Sequence, residues 1–213
     1  MKLMNKNILL LPLLIILLSI YAPFTGSQTY IPESWEKSAN ERQPPEKVLD
    51  TIGVTPGMVI GEIGAGGGRY TVHLARRLGD SGKIYANDIN ESSLSHLRDR
   101  CRRSNIGNVE TILGEIDDPL FPEKALDLVI MVWVYHHLEK PVALLKNLKA
   151  SLKPGAPVVI LDPSYIRTGE KDSDRPTTRE RVEREAREAG YELIRMESFL
   201  PEDDIYILKI KDR

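Results

Sequence analysis

The apolar positions of this chain switch repeatedly between two periodicities. Residues 58–63 form an apolar run rich in branched side chains, the length and composition of a buried strand. The run breaks at Gly64, and glycines return at Gly66 and Gly68. Tyr70, Leu74 and Leu78 then recur at helical spacing until Gly79 stops the pattern. Residues 83–88 predict a second strand, and Asn90 caps a helix carrying Leu94, Leu97 and Cys101 on one face. Residues 109–113 predict a third strand, after which Asp117, Asp118 and Pro119 begin an irregular crossing. Residues 125–134 are almost continuously apolar, with Asp127 near their start, as expected of a strand buried on both faces of a parallel sheet. Pro141 starts a helix with Leu144, Leu145, Leu148 and Leu152 on one side. Pro154 and Gly155 end it, and residues 157–161 supply a fifth strand. Strand and helix alternating in this way predict a doubly wound α/β sheet.

The two ends depart from that rhythm. Thr177 and Glu180 have capping-box spacing ahead of a helix that turns Val182, Ala186 and Ala189 to the core. Glu180–Arg184 and Glu183–Arg187 stand one helical turn apart as charge pairs. Residues 191–199 and 205–210 then predict two strands. Residues 201–204 between them are too few for anything but a hairpin, so one strand runs antiparallel. At the front, Pro44 and Pro45 open a short helix over residues 46–52. Residues 28–43 precede it as a polar linker or loosely held arm carrying Tyr30 and Trp35. In residues 1–27, Lys2 and Lys6 stand before an apolar run from 8 to 20, the pattern of a signal peptide or short signal anchor. The run is shorter than the roughly 20 residues of a bilayer span. No cysteine follows it, which excludes a lipoprotein anchor. Such a leader predicts a membrane-associated or exported protein, with contact to the membrane only through the leader. A cytoplasmic domain follows only where the leader is not used for export.

Composition narrows the partners. The 213 residues, less the leader, suit one domain over residues 44–213. With 29 basic and 31 acidic residues the net charge is −2, so there is no electrostatic footprint for nucleic acid. A single cysteine excludes an internal disulfide and a cysteine-based metal site. No His/Asp/Glu spacing suggests a metal. Arg98, Arg100, Arg102 and Arg103 crowd one helix end and read as a solvated face favouring the helix dipole. His73 and His96 read as surface or packing residues.

Chemistry concentrates at the glycines. Three of them between a strand and a helix allow a sharp turn and close backbone approach to a ligand. The free amides that start the following helix favour an anionic group. A dinucleotide fingerprint needs a third glycine where this chain has Arg69, and no Gly-Lys-Ser/Thr follows to make a P-loop. Instead an acid, Glu62, stands at the strand's end, useful beside a cationic ligand. At the end of the fourth strand, where open α/β sheets place their ligands, Tyr135, His136 and His137 are candidate bases, His136 foremost.

These residues resemble the class I S-adenosylmethionine-dependent methyltransferases. The resemblance spans residues 44–211 and rests on 57–68, 84–88, 127–130, 135–137 and 152–155, in the expected order. Gly67 is a departure, standing where relatives usually carry threonine. The resemblance implies a Rossmann-like, mostly parallel seven-stranded sheet with an antiparallel C-terminal hairpin, S-adenosyl-L-methionine as cofactor and a small-molecule acceptor. It also implies that Gly64, Gly66 and Gly68, with Ile63 and Ala65, let the backbone pass the cofactor's methionine portion and ribose. Glu62 would lie near the positive end, Asp88 would accept the ribose hydroxyls and Ile89 would pack on the adenine. Glu115 or Asp117, with Ile116 between them, would meet the adenine amino group, and Met131 is counted among the cofactor contacts. The competing expectations are a nicotinamide-dependent oxidoreductase and a binding protein that kept the fold without the chemistry. Residues 163–176, with Tyr165 and Arg167, and the arm around Trp35 are the parts available to cover the site.

Overall fold

A computed structural model of the chain describes residues 34–168 and 175–211. Seven strands form one sheet: β1 (Val59–Ile63), β2 (Lys83–Asp88), β3 (Val109–Leu113), β4 (Leu128–Val132), β5 (Val158–Pro163), β6 (Tyr191–Glu197) and β7 (Asp203–Ile210). Their spatial order is β3-β2-β1-β4-β5-β7-β6. The first five are mutually parallel, whereas β7 runs antiparallel to both β5 and β6. The order reverses at β1 and β4, whose carboxyl ends therefore diverge and leave a crevice.

The sheet has helices on both faces because its central strands are apolar on both sides. Along β4, Leu128 and Ile130 face one layer while Val129 and Met131 face the other. β5 and β7 divide in the same way, at Val159, Leu161, Ile205 and Ile207 against Val158, Ile160, Tyr206 and Leu208. The first layer receives α2 (Pro45–Ile52), α3 (Arg69–Leu78) and α4 (Glu91–Arg103). The second receives α5 (Pro141–Leu148) and α7 (Arg179–Ala189). Asn90 caps α4 as expected, accepting from the amides of Ser92 and Ser93. Cys101 is buried in the first layer.

Four expectations need correction. The apolar run of residues 125–134 yields a strand of only 128–132, because Trp133 adopts a left-handed φ of 57° and turns the chain out of the sheet. The arm is not loosely held from residue 36 onward. Glu36–Arg42 forms a helix, α1, in which Glu36 and Ala39 are buried. Arg100, read as part of a solvated face, is buried against it, with both guanidinium nitrogens on the Glu36 carboxylate at 2.6 and 2.7 Å. Finally, the cap of α7 is Thr178, which accepts from the Arg181 amide. Thr177 is drawn away because its hydroxyl donates to Asp162 at 2.5 Å. On α7 the charge pairs include Arg179–Glu183 and Arg181–Glu185. The connection after β5 begins with a four-residue helix, α6 (Tyr165–Thr168). The leader, residues 1–27, and the middle of that connection lie outside the described residues. No helix among the described residues is long and apolar enough to cross a membrane.

Candidate active site

The crevice between the ends of β1 and β4 holds a cleft of about 210 Å³. Of the residues expected at a cofactor site, Ile63, Gly64, Asp88, Ile89, Glu115 and Ile116 line it, as does His137. Of the glycine loop only Gly64 lines it; Glu62, Ala65, Gly66 and Gly68, also expected at the cofactor, do not. A Cβ on Gly64 would lie 2.2 Å from Val134 Cγ2, so the glycine lets the end of β4 close over the end of β1. Gly66, with a φ of 54°, has nothing within 4 Å of a Cβ position and so presents bare backbone to open space. Its amide donates to Asp88 Oδ2 at 2.9 Å, and the Asn90 amide donates to Oδ1 at 2.9 Å. The Asp88 carboxylate thus braces the loop against the start of α4, and its remaining lone pairs are free to accept from a diol. Ala65 is buried and its amide donates to the Asn87 carbonyl.

Ile89 and Ile116 are 61% and 42% exposed although both are large and apolar. Two such side chains at one cleft make a slot for a flat, weakly polar ring. Asn87 was not anticipated as a site residue. It lines the cleft and donates to the carbonyls of Ile112 and Pro119, which fixes the irregular crossing that delivers Glu115. Between the two acids left open by the sequence, Glu115 faces the cleft. Asp117 lies outside it, held by Lys140 at 2.9 Å. Met131 does not reach the cleft; it is fully buried in the second layer, because its strand position alternates away from the crevice.

Glu62 is 2% exposed and accepts from the Thr71 hydroxyl at 2.6 Å. Burial pushes its carboxyl up to about 7, against the lowering effects of that hydrogen bond and of Arg69. An acid held this way is poised to ionise when a cation arrives.

The three candidate bases sit on one 3-10 turn, Tyr135–His137; Tyr135 turns away, whereas the His136 and His137 rings lie 3.8 Å apart. Tyr135 is fully buried and its hydroxyl donates to Glu185 at 2.6 Å. Burial, and then that bond, push its pKa far above the ordinary range, so Tyr135 is no base. His136 turns its Nδ1 to the Asp162 carboxylate at 3.0 Å, and its amide donates to the same group. His137 lines the cleft, its pKa lowered by burial and then by the neighbouring His136. Asp162 and Thr177 were missed; the polar Asp162 ending an apolar fifth strand was the available signal.

The donors and shapes present therefore fit a nucleoside carrying a positively charged tail. Fold and site together are similar to those of the class I S-adenosylmethionine-dependent methyltransferase domains, the class whose cofactor is S-adenosyl-L-methionine. The family model described as a methyltransferase domain matches residues 60–155. The chain is 30% identical over 115 residues to the ubiquinone/menaquinone biosynthesis C-methyltransferase UbiE of Idiomarina loihiensis, covering 54% of this chain and 46% of that protein. It therefore spans less than half the length of that relative. Among solved structures, a SAM-dependent methyltransferase from Aquifex aeolicus superposes with a TM-score of 0.76 at 24% identity, covering 85% of this chain and 100% of that one. The cyclase SpnF superposes with a TM-score of 0.69 at 13% identity, covering 88% of each chain. The fold alone thus does not dictate the reaction.

Proposed function

We propose that this protein transfers a methyl group from S-adenosylmethionine to a small-molecule acceptor held at the carboxyl ends of β4 and β5. The observation that carries this reading is the shared cleft of Gly64, Asp88, Ile89 and Ile116. When bound, the cofactor supplies a methyl group activated by its sulfonium, for in-line displacement by the acceptor. The chain's own residues supply position and a dry site. Asp88 is placed to hold the ribose, Ile89 and Ile116 the adenine, and buried Glu62 the cationic tail. His136, fixed through Nδ1 by Asp162, is equipped to receive a proton at Nε2 from an acceptor atom that must lose one. The UbiE relative is named for C-methylation, in which the acceptor carbon exchanges a proton for the methyl group. Such chemistry would use a base of this kind.

We further propose that the charged and apolar leader, residues 1–27, places the domain at a membrane or beyond it. Protease accessibility in intact spheroplasts tests that placement. For the activity, isothermal titration with S-adenosylhomocysteine and with NAD separates the cofactors, followed by a radiolabelled-methyl screen of acceptors. Asp88→Asn should weaken S-adenosylhomocysteine binding about ten- to a hundredfold, the worth of charge-assisted hydrogen bonds. Binding of NAD alone would sink the reading. Binding without methyl transfer to any acceptor would favour a protein that kept the fold for recognition only.

A further inference from the structure

Asp162 stands next to last in β5 and is fully buried. A buried carboxylate must find donors for its lone pairs. Among the described residues its donors are the His136 amide at 3.0 Å, the His136 ring Nδ1 at 3.0 Å from each oxygen, and the Thr177 hydroxyl at 2.5 Å. The amide and the hydroxyl both take Oδ2, which pins the carboxylate plane from two sides and keeps it facing the ring. An ionised carboxylate only accepts, so Nδ1 carries the ring proton and Nε2 is left as the basic nitrogen.

Thr177 is buried and has the spacing of a helix cap, yet Thr178 caps α7 and the Thr177 hydroxyl goes to Asp162 instead. Its neighbours in sequence hold the same turn on either side of His136. The Tyr135 hydroxyl donates to Glu185 at 2.6 Å, and Arg175 Nη1 donates to the carbonyls of Leu138 and Glu139 at 3.1 Å each. Between these anchors the His136 ring lies 3.8 Å from that of His137, which lines the cleft. We propose that Thr177 is a positioning residue for His136. Through Asp162 it holds the imidazole as the Nδ1–H tautomer, with Nε2 kept for the proton that an acceptor gives up. This inference rests on the base role proposed above for His136, but the tautomer is measured without cofactor or acceptor.

Neutral histidine in water favours the Nε2–H form, so the reversed tautomer is a spectroscopic signature. The test is long-range proton–nitrogen correlation NMR of the imidazoles in the isotope-labelled full chain, at a pH where the rings are neutral. His136→Gln assigns the signal. The wild type should show His136 in the Nδ1–H form, and Asp162→Asn should abolish that preference. Thr177→Val, which keeps the volume but removes the hydroxyl, should move the tautomer ratio roughly fivefold towards Nε2–H, the worth of about one hydrogen bond. Thr177→Ser should restore it. Thr178→Ala removes the cap of α7 and lowers the thermal midpoint, yet should leave the tautomer as it is, which separates positioning from stability. Should the valine variant not fold, Thr177→Ala reads the same outcome. An unchanged His136 signal without the Thr177 hydroxyl, an equal change in Thr178→Ala, or a wild-type His136 in the Nε2–H form would each overturn the assignment. Titration calorimetry with S-adenosylhomocysteine should give the same affinity for wild type and Thr177→Val, and a parallel loss would make Thr177 a brace of the fold. Failure of the wild type to bind that ligand would overturn the cofactor reading alone, and the His136 signal would still decide the role of Thr177.

Discussion

The Glu36–Arg100 pair is the most exacting test of this fold, because the two residues lie 64 positions apart and join α1 to α4. Their side chains are 1% and 2% exposed, and Arg100 also donates to the Gly67 carbonyl at 3.1 Å. Glu36→Ala would take away the carboxylate that this buried guanidinium grips with both nitrogens, a loss worth about 3–5 kcal/mol in comparable sites. For a domain of this size each kcal/mol lowers Tm by roughly 2–4 °C, so a fall of roughly 6–20 °C is expected. Urea unfolding should show the midpoint dropping with an unchanged slope. The double variant Glu36→Leu/Arg100→Met should recover most of the loss, since replacing both charges by apolar groups removes the desolvation penalty. A single-variant loss under about 1 kcal/mol, the range of an exposed ion pair, would refute the reasoning. It would mean that α1 is the loose arm its polar composition suggests.

Two further outcomes follow from the glycine loop and the buried titrating groups. Gly68→Ala combines a φ of 86° with a Cβ only 2.3 Å from Leu97 Cδ1, and should cost roughly 2–4 kcal/mol in urea unfolding. Gly66→Ala, with a φ of 54° in open space, should cost only the backbone part, about 1 kcal/mol; equal losses would contradict the packing at Gly68. Glu62 is raised to about 7 by burial, so the folded state holds its proton more tightly and stability falls as pH rises from about 4.5 to 7. Burial lowers His73 to about 4, so its contribution has the opposite sense, full above pH 6.5 and lost as pH falls towards 4. Each shift is worth about 3 kcal/mol at 1.36 kcal/mol per unit, so the two nearly cancel between pH 4.5 and 6.5. Glu62→Gln should leave the His73 contribution unopposed, seen as stability rising with pH in that window. An unchanged urea-midpoint profile would show that Glu62 is not the opposing group.

The strands and the glycine loop were legible because apolar periodicity and glycine spacing are local properties. The sites of burial for polar groups were not, because they depend on partners far along the chain. Arg100 looks like its exposed neighbours until Glu36 is known to reach it. Thr177 has the capping-box spacing, yet the cap is Thr178, because Asp162, fifteen residues away, takes the Thr177 hydroxyl. The candidate bases illustrate a different limit. Three consecutive residues on one 3-10 turn take three different partners, even though the His136 and His137 rings lie 3.8 Å apart. Tyr135 goes to α7, His136 to β5 and His137 to the cleft, and no property of the tripeptide Tyr-His-His announces that division.

That dependence on distant partners also decides where the functional unit begins. A boundary at residues 43 and 44 is natural from composition, since Pro44 and Pro45 end a polar stretch. Yet α1 supplies Glu36 to Arg100, whose other contact is the Gly67 carbonyl of the glycine loop. The same helix supplies Asn40 to Arg69, and Gln43, the residue that ends it, supplies the second amide on the same guanidinium. Both buried arginines nearest the loop are therefore oriented from the supposed arm. Holding the glycine loop and anchoring Arg69 beside it are then one structural task, performed by a helix of seven residues and the residue that ends it. The cleft is built at the carboxyl ends of the strands, whereas the far side of the glycine loop is held from α1, and a chain trimmed at residue 44 would keep the first and lose the second.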